Sequence, residues 1–413
     1  MAIIKPFKAL RPPKSTAKNV AALPYDVMNV EEARAMADGN ALSFLHVSRP
    51  EIDLPPDIDP HDESVYLKGK LNLDAFIRRG ILIADSMESF YIYRQRMGKI
   101  TQTGIVTCAS VDDYQRGVIK RHEHTRQDKE DDRVKHIDIL DANDEPVFFI
   151  SRSCPEIERI ISTVTNSAPE YDFVTDDNVA HSVWVLNDLD LVSRLTDIFS
   201  KHPCLYVADG HHRSAAAERV REMRRETNPD HTGNEEYNYF LTVIFPEDQL
   251  NIMPYNRVVK DLNGRNISEF MEEVGRTFEM IESSVPVSPD TRHNFGMYLD
   301  GRWYHLKRSA SLIDETDAVK HLDVSILQDK LLAPLLGIDD PRTDTRIHFV
   351  GGIRGNTELI RLVDSGEYAV AFSLFPTSVS ELIELADQDQ IMPPKSTWFE
   401  PKLRSGLFVH QLA

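Results

Sequence analysis

Five residues near the middle of the chain, Asp209-Gly210-His211-His212-Arg213, bring together side chains suited to anion and proton chemistry. They follow the apolar run Cys204-Leu-Tyr-Val-Ala208 and precede the alanine-rich Ser214-Ala-Ala-Ala-Glu-Arg-Val, so the pattern predicts a strand ending at Ala208 and a helix starting near Ser214. The first N–H groups of a helix have no partner within it, and the positive end of the helix dipole lies there, so such a turn attracts anions. Gly210 lets the backbone approach a ligand closely, and Arg213 offers a planar fork for phosphate. His211 and His212 can donate to phosphate, bind metal or move protons near neutral pH. Asp209 is the carboxylate inside this turn and the candidate base for an acceptor hydroxyl. Its plainer role is to cap the helix, a role that needs neither histidine nor arginine.

A second stretch runs Ile119-Lys-Arg-His122-Glu123-His124-Thr-Arg-Gln-Asp-Lys-Glu-Asp-Asp-Arg133. Its near-equal acids and bases also fit a solvated turn and helix. Yet His122 and Glu123 closely follow the strand-like Gly117-Val-Ile, the place where α/β folds collect active-site residues. Glu123 and His122 are therefore candidate catalytic groups, with Arg133 completing the pocket. His122 and His124 would share one face of a strand, a spacing that permits a metal pair but lacks a third ligand nearby. Weaker signals are Asp26 in Pro24-Tyr-Asp-Val, the turn Val350-Gly-Gly-Ile-Arg-Gly355, and Lys395 in Pro393-Pro-Lys-Ser-Thr. The glycine turn has neither dinucleotide nor P-loop spacing and reads as packing geometry.

The elements that must position these residues are strands and helices in mixture. Ser89–Arg94 and Gly104–Val111 flank Met97-Gly-Lys as a hairpin, and Asp300-Gly301 joins a second one. Apolar spacing predicts a helix from His321 to Leu332. Alternating strands and helices follow over 346–386, the last helix opened by the capping box Ser378-x-x-Glu381. The expected class is α/β, mixed α+β, with three regions: 1–88, 89–250 carrying the box, and 251–413.

The chain has 413 residues, with 47 Lys plus Arg against 66 Asp plus Glu, a net charge of −19. That balance argues against binding nucleic acid or anionic membrane by bulk charge. No apolar run is long enough for a membrane span, and the start reads as lacking a secretory signal. Cys108, Cys154 and Cys204 stand apart from one another and read as structural thiols in a reducing, cytoplasmic setting.

The Asp-Gly-His-His-Arg turn resembles the phosphate-binding box of the ParB/sulfiredoxin superfamily. Gly210, His212 and Arg213 carry the resemblance, which covers the turn and the start of the helix and leaves Asp209 and His211 unassigned. Within that superfamily the box is most similar, in reaction type, to the free-serine kinase of hyperthermophilic archaea. The resemblance implies a central nucleotide-binding core, ATP or ADP with Mg2+ as cofactors, and phosphate transfer to a small hydroxylated metabolite. The rival reading is a nucleotide sensor without catalysis. A wider resemblance covers nearly the whole chain and is to a bacterial and archaeal family of unknown function. It rests on Lys5-Pro-Phe-Lys-Ala-Leu-Arg-Pro, Pro24-Tyr-Asp-Val, Phe44-Leu-His-Val, Lys120-Arg-His-Glu, Pro254-Tyr-Asn-Arg-Val-Val and Pro394-Lys-Ser-Thr-Trp-Phe-Glu-Pro-Lys. His124 and Asn256 depart from that pattern, a histidine being expected at 256.

Overall fold

The computed structural model describes residues 1–308 and 317–413. The chain divides into two compact units. One comprises Met1–Arg121, Thr125–Leu250 and Pro401–Ala413, and the other His122–His124 and Asn251–Glu400. The regions 1–88 and 89–250 lie together in the first unit, apart from residues 122–124. The tail from Pro401 also belongs to that unit. The class is mixed α/β, as composition and patterning lead one to expect.

The first unit is built on a nine-stranded sheet. Its strands are β1 (Ile4–Lys5), β2 (Phe90–Met97), β3 (Ile100–Ser110), β4 (Ile119–Lys120), β5 (Val147–Ser151), β6 (Tyr171–Val174), β7 (Val179–Leu186), β8 (Leu205–Asp209) and β9 (Tyr239–Pro246). They lie in the order β4-β8-β5-β9-β3-β2-β7-β6, with β1 alongside β3. The pairs β4 with β8 and β5 with β9 are parallel, and the others antiparallel. The predicted hairpin is β2 with β3. Side chains alternate along a strand, so Leu205 and Val207 enter the same core as Phe149, Ile157, Ile160, Leu195 and Phe199. Each such side chain contributes roughly 1.5–3 kcal/mol on burial. Elsewhere in the unit, helix α1 (Gln127–Leu140) meets helix α2 (His211–Thr227) through Val134, Ile137, Ala216 and Val220.

The second unit holds a six-stranded antiparallel sheet of β10 (Tyr255–Val259), β11 (Phe278–Ser283), β12 (Asn294–Leu299), β13 (Arg302–Arg308), β14 (Ile347–Gly351) and β15 (Val370–Leu374), in the order β11-β13-β12-β15-β10-β14. Asp300 and Gly301 join β12 to β13 with φ of 50° and 74°. Both angles are positive, as a type I′ turn requires. The helix expected from His321 begins at Asp323 and widens at Gln328–Leu332, where Ala333 N donates to Gln328 O at 2.9 Å. Ser378 and Glu381 form the predicted capping box of helix α3 (Val379–Asp387). The glycine turn proves to be packing. A Cβ on Gly351 would lie 2.6 Å from the Trp398 ring, and one on Gly352 would lie 2.8 Å from Pro254. The two ends of the unit close on each other, because Ile252–Met253 pairs with Trp398–Phe399 and Glu400 N donates to Asn251 O at 3.1 Å. Among the described residues no helix is long and apolar enough to cross a membrane.

Candidate functional site

The strand before the box runs one residue further than its apolar pattern suggests, through Asp209, and the helix starts at His211 rather than near Ser214. The link between them is Gly210 alone. Its φ of +94° is in the left-handed region, which turns the chain from strand to helix within one residue. A register shift between Val207 and Asp209 on the β5 side bends the strand just before the turn. Arg213, in the first helical turn, folds back over Gly210, so that a Cβ there would lie 3.2 Å from the guanidinium. Its Nη1 donates to Pro146 O at 2.5 Å and lies 4.0 Å from Glu145 Oε2. Its Nε is buried and has no acceptor among the described residues.

Asp209 is not a free carboxylate. Its Oδ2 accepts from Lys402 Nζ at 2.8 Å, and its Oδ1 accepts from Gly210 N at 2.8 Å. Burial alone would raise its proton affinity. Lys402, Arg213 and His211 outweigh that and hold the carboxyl well below the usual carboxylate range. Both carboxylate oxygens of Asp209 are thus engaged, one by the lysine and one by the backbone of the turn. Lys402 itself is held by the tail's backbone, where the buried Gln95 and Gln102 donate to the carbonyls of Lys402 and Pro401 at 2.7 and 3.1 Å.

A second carboxylate lies behind Arg213. Glu145 is 4% exposed, and its Oε1 accepts from Tyr25 N at 3.0 Å and from Ser405 Oγ at 2.9 Å. Burial pushes it up to about 7. Arg213 and Arg133 pull it down, and Asp144 and Asp26 add to the rise. Arg133 is buried, pairs with Asp132 at 2.8 Å and lies 3.9 Å from the Tyr25 ring centroid. His136 Nε2 and Asp144 Oδ2 are 2.9 Å apart in the same neighbourhood. Two cavities of about 10 Å³ each flank Arg213, one bordered by Asp209 and Lys402, the other by Arg133 and Glu145. Each has room for about one water molecule. Asp26, by contrast, is exposed, and its charge acts on both Arg213 and Glu145.

Asp209, Gly210, His211, His212, Arg213 and Arg133 thus all lie in the first unit, the last of them meeting Arg213 around Glu145. His122 and Glu123 belong to the second unit, where His122 O accepts from Met392 N at 2.8 Å. The expectation that His122 and His124 share a strand face is corrected by the structure. The strand stops at Lys120, His122 is buried and His124 is exposed. Glu145, Lys402 and Ser405 have no role in the sequence reading. Their signal there is slight: two acids before Pro146 and the apolar strand β5, and one lysine near the end of the chain.

Residues 4–325 match the family described as "Protein of unknown function (DUF1015)". The chain belongs to the DUF1015 family. A comparison with curated proteins finds no match. Among solved structures, this DUF1015 chain is similar to a free serine kinase in complex with AMP, at 12% identity over 72% of this chain and 86% of that one, with a TM-score of 0.35. It is similar to a conserved hypothetical protein from Pyrococcus furiosus, at 12% identity over 73% and 93% and a TM-score of 0.35. It is also similar to SbnI with a C-terminal truncation from Staphylococcus aureus, at 11% identity over 71% and 82% and a TM-score of 0.37. At these scores the ligands named for those structures remain properties of those structures.

Proposed function

We propose that the first unit binds ATP or ADP at the Gly210–Arg213 turn and transfers a phosphoryl group to a small hydroxylated metabolite, a free amino acid such as serine being a candidate acceptor. The observation that carries this reading is the buried guanidinium of Arg213, folded over a helix start with its Nε lacking an acceptor among the described residues. A phosphate oxygen supplies that acceptor, and the first-turn N–H groups and Lys402 add to the hold on it. Phosphoryl transfer asks mainly for positioning and charge neutralisation. The acceptor oxygen forms a bond to the terminal phosphorus as the bond to the nucleotide's bridging oxygen breaks, and the hydroxyl proton leaves to a base. Asp209 is tied to Lys402, so the base in this scheme is Asp26, which is exposed and adjoins Arg213 in charge. Mg2+ would enter with the nucleotide and neutralise phosphate charge there.

The test is calorimetry with ATP and ADP on the wild type and on Arg213→Ala. Losing a hydrogen bond to a charged group costs about 1.5–3 kcal/mol, so affinity should fall about 10- to 150-fold. Unchanged affinity in the variant refutes the site. Phosphate transfer to a panel of hydroxylated metabolites then separates an enzyme from a sensor, because a sensor binds nucleotide and transfers nothing.

A further inference from the structure

Among its described residues, the second unit contains a positive charge with no carboxylate partner. Arg257 lies on β10, between β14 and β15 in the six-stranded sheet, and is 3% exposed. Its Nη1 donates to Tyr255 O and its Nη2 to Lys395 O, the latter at 3.0 Å. A guanidinium has five N–H donors, so three are left over. Among the described residues no Asp or Glu pairs with it. Burial lowers its proton affinity to about 10, against a smaller upward pull from the Tyr255 phenol, so it remains a cation. A buried charge is costly unless it is paired, and the two carbonyl oxygens are dipoles rather than counter-charges.

The surroundings have the character of a binding site. Tyr255 and Arg257 point to the same face of β10, opposite Gly351 and Phe349 on β14. The guanidinium lies 5.3 Å from the Phe349 ring centroid. Trp398 lies against Gly351, and the ring centroids of Tyr255 and Trp398 are 5.1 Å apart at 74°. All three rings are half-buried, so each keeps some surface open to solvent. Lys395 is exposed and brings a second positive charge, its Nζ 5.7 Å from the Tyr255 centroid. Lys395 holds a left-handed φ of 57°, an uncommon conformation for a side chain of this kind, in the segment whose carbonyl meets Arg257.

We propose that Arg257 and Lys395 form an anion site in the second unit that takes a small phosphomonoester carrying a planar apolar group. The two cations match a dianionic phosphate, and the half-buried Tyr255, Phe349 and Trp398 match the planar group.

Phenyl phosphate, inorganic phosphate and benzoate are the probes, titrated by calorimetry into the full-length wild type, Arg257→Met, Lys395→Met and Arg213→Ala, with melting temperatures of the ligand-free proteins alongside. Phenyl phosphate should bind more tightly than either of the other two probes. Arg257→Met should weaken it about 10- to 150-fold, the range for a hydrogen bond to a charged group. Lys395→Met should weaken it less, and Arg213→Ala should leave binding in place. Methionine removes the charge while keeping apolar bulk, so ligand-free Arg257→Met should melt at or above the wild-type temperature. A purely structural arginine predicts the reverse, a lower melting temperature with phenyl phosphate binding intact, and that result overturns the proposal. So does binding that is lost only in Arg213→Ala. If Arg257→Met does not fold, the exposed Lys395→Met decides, and unchanged affinity there refutes the site.

Discussion

Replacing Glu145 by glutamine should stabilise the protein at pH 8 and leave it nearly unchanged at pH 4.5. The carboxyl is buried behind Arg213 and pushed up from 4.5 to about 7. One pKa unit is worth 1.36 kcal/mol, so the difference amounts to about 3 kcal/mol between the two ends of the range. The sign follows from proton counting. Between pH 4.5 and 7 the folded chain keeps a proton on Glu145 that the unfolded chain releases. Stability from this group is therefore greatest below 4.5 and declines as pH rises to 7, after which the full cost of a buried carboxylate is present. Glutamine keeps an acceptor for Tyr25 N and Ser405 Oγ and never acquires the charge. Its stability should thus exceed that of the wild type by an amount that grows through this window to about 3 kcal/mol, a large share of a typical 5–15 kcal/mol total. Urea unfolding of both proteins at pH 4.5, 5.5, 6.5 and 8 measures the difference, in which the other titrating groups cancel. A difference independent of pH would show that Glu145 ionises at its ordinary value and that Arg213 compensates it fully.

Gly210→Ala should cost about 1–2 kcal/mol in stability, because alanine pays for the left-handed backbone. It should also weaken nucleotide binding by displacing Arg213, which melting curves and calorimetry check together. Asp209→Asn removes the partner of Lys402 and should destabilise the protein by about 1–3 kcal/mol at pH 7, between the values for exposed and buried pairs. The pair's contribution is present above the ordinary carboxylate range and lost in acid, so the variant and the wild type should converge as pH falls below 3.8. With Asp26 as the base, turnover of Asp209→Asn should fall less than tenfold, whereas a fall of about 10²–10⁴ would return that role to Asp209.

The strand-to-helix turn at Gly210 was legible because everything that defines it is local: an apolar strand, one glycine and an alanine-rich helix. The Asp300-Gly301 turn and the Ser378/Glu381 cap were legible for the same reason. Lys402 was not, because it meets Asp209 across 193 residues of chain and no periodicity links them. Glu145 looks in sequence like one more surface acid. Its burial follows from where β5 sits in the sheet, beside β8, which is set by long-range pairing. The strand through His122 was drawn too long because β4 pairs with β8 at only Ile119 and Lys120 and then has no partner to continue with. Arg257 escaped notice because a lone charge in an apolar run reads as a residue facing water.

The return of the tail to the first unit sets an order of events during synthesis. A ribosome adding about 5–20 residues per second makes Lys402 roughly 10–40 s after Asp209. Throughout that interval the helix start at Gly210 exists without its lysine, and Glu145 exists without Ser405. The strand that seals the intervening stretch, Trp398–Phe399, is made only just before Lys402, so closure of that stretch and completion of the turn fall at nearly the same time. Messages broken or stalled before codon 398 would therefore yield chains in which neither the seal of the second unit nor the Gly210 turn is finished. Placing the last contributions to the site in the tail makes competence at that turn a report on whether translation reached them.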